Sequence, residues 1–250
     1  MLNYSRKLLT TTAILFAMIV TPAGNPAWAA DDGGLSAYKA RYSIRKGGFK
    51  LADVNIQLQR NGNHYRFVSD SETTGLVSMF RSDTIHESSE LEIENGRIIP
   101  KHYFYERVSK KPKKIDLKFD WQAKKVTNSI AGKEWTVENL PDNTVDKFSI
   151  QLAAMLEVQT DKQSLRFHYA EKGELKEYLF TVEGKERVET KLGEYDTIKI
   201  KRVRAKKKKR ITYSWLAPEL GYVLVRMQHV EPDGATLDLV LEEFSRSESK

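Results

Sequence analysis

Strict alternation of apolar and polar residues dominates the chain beyond its first thirty positions. Tyr38, Ala40, Tyr42 and Ile44 alternate with Lys39, Arg41, Ser43 and Arg45, and after Gly47-Gly48 the pattern resumes with Ala52, Val54, Ile56 and Leu58 against Asp53, Asn55, Gln57 and Gln59. A period of two puts successive side chains on opposite sides of a strand, so each segment has one dry and one wet face. Asn61-Gly62-Asn63 tolerates the positive φ of a tight turn and sends the chain back into a strand carrying Tyr65 and Phe67. Further turns are marked by Asn95-Gly96, Ala131-Gly132, Lys172-Gly173, Gly184, Gly193 and Asp233-Gly234. Between them lie alternating strands such as Ile115, Leu117, Phe119, Trp121 and Ile211, Tyr213, Trp215. Short connections without a βαβ rhythm predict an antiparallel meander.

One segment has a different period. From Val145 to Val158 the apolar residues Val145, Phe148, Leu152, Met155 and Leu156 recur at steps of three and four, which predicts one stripe of an amphipathic helix of about four turns. Pro141-Asp142-Asn143-Thr144 supplies N-cap candidates ahead of it. The helix divides the strands into residues 35–138 and 164–246. Neither set has another layer to cover its dry face, so the two are expected to close on each other as a single β-rich domain over residues 35–246. The fold class is therefore mainly β: an antiparallel meander forming a curved sheet, a sandwich or a flattened barrel, with one amphipathic helix. A sheet left partly open would keep an apolar trough suited to an acyl chain or apolar peptide, although cores usually fill.

The first thirty residues read as an address. Arg6 and Lys7 precede an apolar run of 13 residues from Leu8 to Val20, followed by Pro22, Gly24 and Pro26 and then Ala27-Trp28-Ala29. This is the order of a secretory signal peptide over residues 1–29, and the run is too short for a membrane span of about 20 residues. Residues 30–34 are read as a flexible N-terminus and 247–250 as a polar tail. The mature protein is expected in the periplasm, with no transmembrane segment.

Composition narrows the chemistry. The 250 residues include 41 Lys and Arg against 34 Asp and Glu, a net charge of +7, and no Cys. Removing residues 1–29 takes Arg6 and Lys7 but no acid, which lowers the charge to +5. Without Cys there are no disulfides, thiolate metal sites, Cys nucleophiles or acylated N-terminal Cys. The basicity is concentrated in two clusters between strands. Lys110, Lys111, Lys113 and Lys114 surround Pro112, and Lys206, Lys207, Lys208 and Lys209 run into Arg210, preceded by Arg202 and Arg204. Hairpin tips of this kind attract phosphate on lipid head groups or lipopolysaccharide. The plainer alternative is a turn kept soluble by its charge. Nucleic acid is not expected as a partner, because export removes access to it and no aromatic residues are interleaved with the lysines.

Catalytic signals are weak. His64, His86, His102, His168 and His229 have no paired spacing, and no G-x-S-x-G, H-E-x-x-H, Walker or Rossmann pattern occurs. Neither a metal nor a cofactor is expected. Glu87, Glu90, Glu92 and Glu94 could include an acid and base pair, but Glu90, Glu92 and Glu94 alternate with Leu91 and Ile93 as the wet side of a strand.

Several short signposts recur in order: Tyr38-x-x-x-Tyr42, Thr74-Gly75-Leu76, Pro100 with Tyr103, Asp146 opening the helix, Gly193 before Tyr195, and Trp215-Leu216-Ala217. Over about residues 36–244 the chain resembles the exported bacterial proteins of domain-of-unknown-function family 3108. It departs from that family's Leu-Pro-Val strand start with Val223-Leu224-Val225. The resemblance implies export and a β-rich fold and supplies no catalytic residues. The leading expectation is a non-catalytic periplasmic binding or envelope-assembly protein that holds an apolar or amphiphilic anionic component, with the lysine tips on its anionic groups. A periplasmic protein-interaction scaffold, with an envelope protein as partner, is the alternative. A hydrolase acting on envelope polymer comes third.

Overall fold

The computed structural model describes residues 34–75, 78, 82–130, 133–203 and 210–247. The proposed signal peptide and Lys206 to Lys209 lie outside these. Among the described residues fourteen strands form one antiparallel sheet. The N-terminal half contributes β1 (Tyr38–Lys46), β2 (Phe49–Asn61), β3 (His64–Thr73), β4 (Thr84–Glu94), β5 (Arg97–Val108), β6 (Lys113–Asp120), β7 (Lys125–Ile130) and β8 (Lys133–Val137). The C-terminal half contributes β9 (Ser164–Glu171), β10 (Glu174–Thr190), β11 (Gly193–Val203), β12 (Ile211–Ala217), β13 (Val223–Val230) and β14 (Thr236–Arg246). The order across the sheet is β8-β7-β6-β5-β4-β3-β2-β1-β14-β13-β12-β11-β10-β9. Each strand thus pairs with its neighbours in sequence, except that β8 and β9 form the two edges, and the first and last strands join the two halves through pairs such as Tyr38 with Arg246 and Ile44 with Leu239.

Alternation explains the curvature. Tyr38, Ala40 and Tyr42 of β1, Val54, Ile56 and Leu58 of β2, and Tyr65 and Phe67 of β3 all turn to the same buried side. The sheet curls around that side into a nearly closed barrel, which covers the dry face without a second sheet. Its two edges, β8 and β9, are consecutive in sequence, and the chain between them fills the remaining gap. Thr144 forms a parallel bridge with His168 of β9, and Val145 donates its N–H to the His168 carbonyl at 2.8 Å. On the other side the Leu140 N–H reaches the Lys124 carbonyl at 3.0 Å. The β9–β10 turn lies against β8, where a Cβ on Gly173 would sit in ordinary contact at 3.5 Å from the Trp135 Cβ, and Gly173 has a φ of +80°. The positive φ favours glycine there.

The gap-filling segment carries the helix α1 (Ile150–Glu157), followed by a 3₁₀ turn over Val158–Thr160. This is shorter than the periodicity of 145–158 predicts, because the chain before Asp146 is drawn into extended pairing with β9. Asp146 performs the capping expected of residues 141–144. One of its carboxylate oxygens accepts the N–H groups of Phe148 and Ser149, each at 2.8 Å, and its carbonyl accepts the Ile150 N–H at 3.2 Å. The apolar stripe then enters the barrel. Phe148 stacks on Phe67 of β3 with ring centroids 4.0 Å apart, and Leu152 and Met155 are buried. The plug occupies the space that an apolar trough would need.

Two turn assignments change. Trp121 ends in the β6–β7 turn, where its indole N–H donates to the Pro100 carbonyl at 2.7 Å. Gly184 does not turn the chain; it sits at a register shift within β10 with a φ of +117°. Beyond this bulge the β10–β11 hairpin reaches over the outer side of β14, where Lys191 pairs with Glu242 at 3.1 Å.

Candidate functional site at the cationic end of the barrel

In a sheet paired antiparallel throughout, every odd strand ends where the next even strand begins. The β5–β6, β9–β10 and β11–β12 connections therefore open at the same end of the barrel. That end receives Arg107, Lys110, Lys111, Lys113 and Lys114 from the first hairpin, Lys172 and Lys176 from the second, and Arg202 and Arg210 from the last strand pair. The chain ends joined by residues 204–209 lie there too. Topology thus brings the first cluster legible in the sequence to the same side of the molecule as Arg202 and Arg210, the described residues that flank the second.

Inward-facing side chains of β4, β5, β6, β9 and β10 line this end. Glu87 of β4 accepts a hydrogen bond from the Tyr103 hydroxyl of β5 at 2.6 Å. Burial is the largest influence on Glu87 and raises its pKa to about 7. The Tyr103 hydrogen bond opposes that rise, the Asp146 carboxylate adds to it, and Lys147 and Lys113 pull it down. Asp146 is fully buried, which also raises its pKa, against hydrogen bonds from Ser89, Ser149 and the Phe148 N–H. Its second carboxylate oxygen accepts the hydroxyls of Ser89 at 2.6 Å and Ser149 at 2.8 Å. Four donors thus hold Asp146 in place as the cap of the plug. Glu87 is the neighbouring carboxyl able to gain or lose a proton near neutral pH.

The residue after the cap reaches the opposite edge. Lys147 pairs with Glu171 at the end of β9 and lies 5.5 Å above the Tyr169 ring. Lys176 of β10 joins the same carboxylate at 2.9 Å. Partial burial would lift the Glu171 pKa, but hydrogen bonds from the two lysines outweigh it and hold the group at about 2. Lys113 stands 5.5 Å over the Tyr105 ring, and its pKa is lowered first by partial burial and then by Lys147; Glu171 opposes this, and Arg107 and Lys172 add repulsion. Arg202 of β11 lies 3.7 Å over the Tyr178 ring. The result is an aromatic-lined rim rich in cations, several of them paired: Lys147 and Lys176 with Glu171, Lys176 also with Glu174, Lys114 with Glu106 and Arg210 with Glu231.

The candidate residues separate within this frame. Lys110 and Lys111 are exposed at the β5–β6 tip, whose turn is closed by Arg107 and Ser109 donating to the Lys111 carbonyl at 2.8 and 2.9 Å. Lys113 faces the rim. Lys114 turns to the outer side, over the Phe104 ring at 4.9 Å. Arg210 forms an ion pair with Glu231 at 2.6 Å. Lys206, Lys207, Lys208 and Lys209 fall outside the described residues. The histidines are scattered: His64 faces Glu92, His86 faces Asp70, His102 faces Asp116, His168 faces Asn143 and His229 faces Thr212. Lys147, Glu171 and Lys176 did not stand out in the sequence. Glu87 did carry a signal, since it shares parity with the inward Leu91 and Ile93 rather than with Glu90, Glu92 and Glu94.

Comparisons with known proteins follow the same outline. The model of a family of proteins of unknown function, DUF3108, matches residues 37–240. A β-barrel-like protein of the domain of unknown function DUF1849 from Brucella abortus superposes with a TM-score of 0.57 at 9% identity, covering 86% of this chain and 100% of that one, and it is similar in fold. A protein from Parabacteroides distasonis described as a candidate lipoprotein gives a TM-score of 0.37 at 14% identity, over 84% of this chain and 95% of its own. An exported protein from Bacteroides fragilis gives 0.32 at 10%, over 85% and 97%. These two overlays are too loose to bear on the fold. No curated protein sequence matches the chain. Among the described residues no helix is long and apolar enough to cross a membrane.

Proposed function

We propose that this chain, which belongs to the DUF3108 family of proteins of unknown function, is a non-catalytic exported protein of the cell envelope that holds an anionic envelope component at the cationic end of its barrel. The observation that carries the reading is the convergence of the β5–β6, β9–β10 and β11–β12 connections at one end, with Lys113 crowded by Lys147, Arg107 and Lys172. An anion relieves that repulsion, and an excess of positive charge at the end of a low-dielectric barrel draws it in. The periplasm is the compartment this requires, reached through the signal peptide of residues 1–29. Because the plug fills the barrel, the anionic group engages the rim rather than entering along an apolar trough. Asp146 supports a non-catalytic reading, since one carboxylate oxygen is committed to capping and the other to the Ser89 and Ser149 hydroxyls.

The test is co-sedimentation of residues 30–250 with vesicles of phosphatidylglycerol and phosphatidylethanolamine, against phosphatidylcholine alone. Binding to the anionic vesicles is expected and should fall steeply between roughly 50 and 300 mM salt, as screening shortens from about 14 to 6 Å. Combined Lys110→Glu, Lys111→Glu, Lys206→Glu and Lys208→Glu substitutions should weaken it by on the order of 1 kcal/mol for each basic residue near an anionic surface, roughly a thousandfold for the four. Equal binding to both vesicle types, or unchanged binding by the charge-reversed protein, would contradict the reading.

A further inference from the structure

The opposite end of the barrel is built differently. There the start of β1, the β12–β13 connection, the end of β14 and the α1 segment enclose a cavity of about 330 Å³. Its walls are largely apolar and include Leu35, Met155, Leu220, Val223 and Phe244. The size lies at the lower end of the range for small-molecule sites, about 300–1,000 Å³.

Two polar side chains distinguish this cavity from a packing defect. Tyr38 lines it, is 2% exposed, and has a hydroxyl with no hydrogen-bond partner in the protein. Buried hydroxyls are nearly always paired. Tyr42, the next tyrosine on the same face of β1, donates to the Leu224 carbonyl at 2.9 Å. Burial raises the Tyr38 pKa, so the group stays a neutral O–H donor. Arg246 is the one charged residue among the described lining residues, and it is the cross-strand partner of Tyr38 in the β1–β14 ladder. Directly paired residues have Cβ atoms about 5 Å apart on the same face of a sheet. Tyr38 and Arg246 therefore leave the same face of neighbouring strands, both lining the cavity. Arg246 also donates to the Glu219 carbonyl at 3.4 Å, which sets it beside the β12–β13 connection.

We propose that this cavity binds an acyl chain ending in a carboxylate, with the chain against Leu35, Met155 and Phe244 and the carboxylate accepting hydrogen bonds from Tyr38 and Arg246. The guanidinium supplies the charge and the planar donor pair that a carboxylate matches. The phenol supplies a donor that the fold otherwise leaves unused. The site is separate from the cationic rim and does not depend on the function proposed for it.

The experiment measures decanoate binding to residues 30–250 by isothermal titration calorimetry, with decan-1-ol as the uncharged comparator. Saturable binding of decanoate is expected, about tenfold tighter than decan-1-ol, in line with the loss of one charge-assisted hydrogen bond. Tyr38→Phe and Arg246→Gln should each weaken decanoate binding about fivefold or more. Lys110→Glu with Lys111→Glu, at the other end, should leave it unchanged. Tyr38→Phe should also raise the melting temperature of the ligand-free protein, because it removes an unpaired buried donor, and that measurement shows the variant is folded. Absence of saturable decanoate binding, equal affinity for decan-1-ol, or wild-type affinity in Tyr38→Phe overturns the proposal. Loss of binding in the Lys110 and Lys111 variant also overturns it, by moving the site to the rim.

Discussion

Glu87→Gln isolates the energetic consequence of burying a carboxyl beneath the plug. Burial raises the Glu87 pKa from an ordinary 4.5 to about 7, with Tyr103, Asp146, Lys147 and Lys113 as its neighbours. In the unfolded chain the carboxyl loses its proton near the ordinary value; in the folded protein it keeps it to about neutrality. Between those limits unfolding releases a proton, so stability falls as pH rises and levels off once the folded state has ionised too. At ~1.4 kcal/mol for each tenfold change in proton affinity, the decline amounts to about 3 kcal/mol between pH ~4 and pH ~8. Glutamine retains an oxygen that can accept the Tyr103 hydroxyl but does not titrate. Urea unfolding followed by tryptophan fluorescence, repeated across this pH range on both proteins, gives the comparison. The stability of Glu87→Gln relative to wild type should rise by about 3 kcal/mol from the acid to the alkaline end, whatever constant offset the amide introduces. Parallel curves with a pH-independent difference would refute the burial argument.

Two further outcomes follow from the plug and the outer hairpin. Phe148→Ala removes the ring stacked 4.0 Å from Phe67 and should cost about 3–5 kcal/mol in urea unfolding; a loss below about 1 kcal/mol would show that the plug does not hold the barrel together. Gly184→Ala places a Cβ at a φ of +117° and should cost about 1–3 kcal/mol, with faster hydrogen exchange in the β10–β11 hairpin beyond the bulge; wild-type exchange would show that the bulge tolerates a side chain.

Much of the architecture was legible before any coordinates because it is local. Alternation in β1 and β2 marks the side that is buried, and Asn61-Gly62 and Asn95-Gly96 mark real turns with positive φ. Gly184 was less informative, since a glycine within a strand pattern serves equally as a turn or a bulge, and only the pairing of β10 with β11 distinguishes them. The helix was recognisable from its period, but its start was not. Val145, the first residue of the helical period, and Thr144, an N-cap candidate, are nevertheless taken into pairing with His168, where the exposed edge of β9 offers unpaired backbone groups. At the rim, the lysine clusters were visible as composition. Glu87 was visible only as parity, and Lys147, Glu171 and Lys176 were not visible at all, because single charges reveal nothing until long-range contacts bring them together.

The sequence by itself determined an antiparallel β-rich chain with one helical interruption, no cysteine chemistry and two basic clusters. These follow from side-chain periodicity, turn residues and charge, which depend on positions a few residues apart. Tertiary structure decided that the sheet closes around its own helix, that β1 lies beside β14, and that the β5–β6 and β11–β12 connections open at the same end. Those outcomes come from burying one continuous dry face and satisfying the edges of β8 and β9, requirements that the chain meets only as a whole. The same closure separates a crowded cationic rim at one end from the cavity beside Tyr38 and Arg246 at the other.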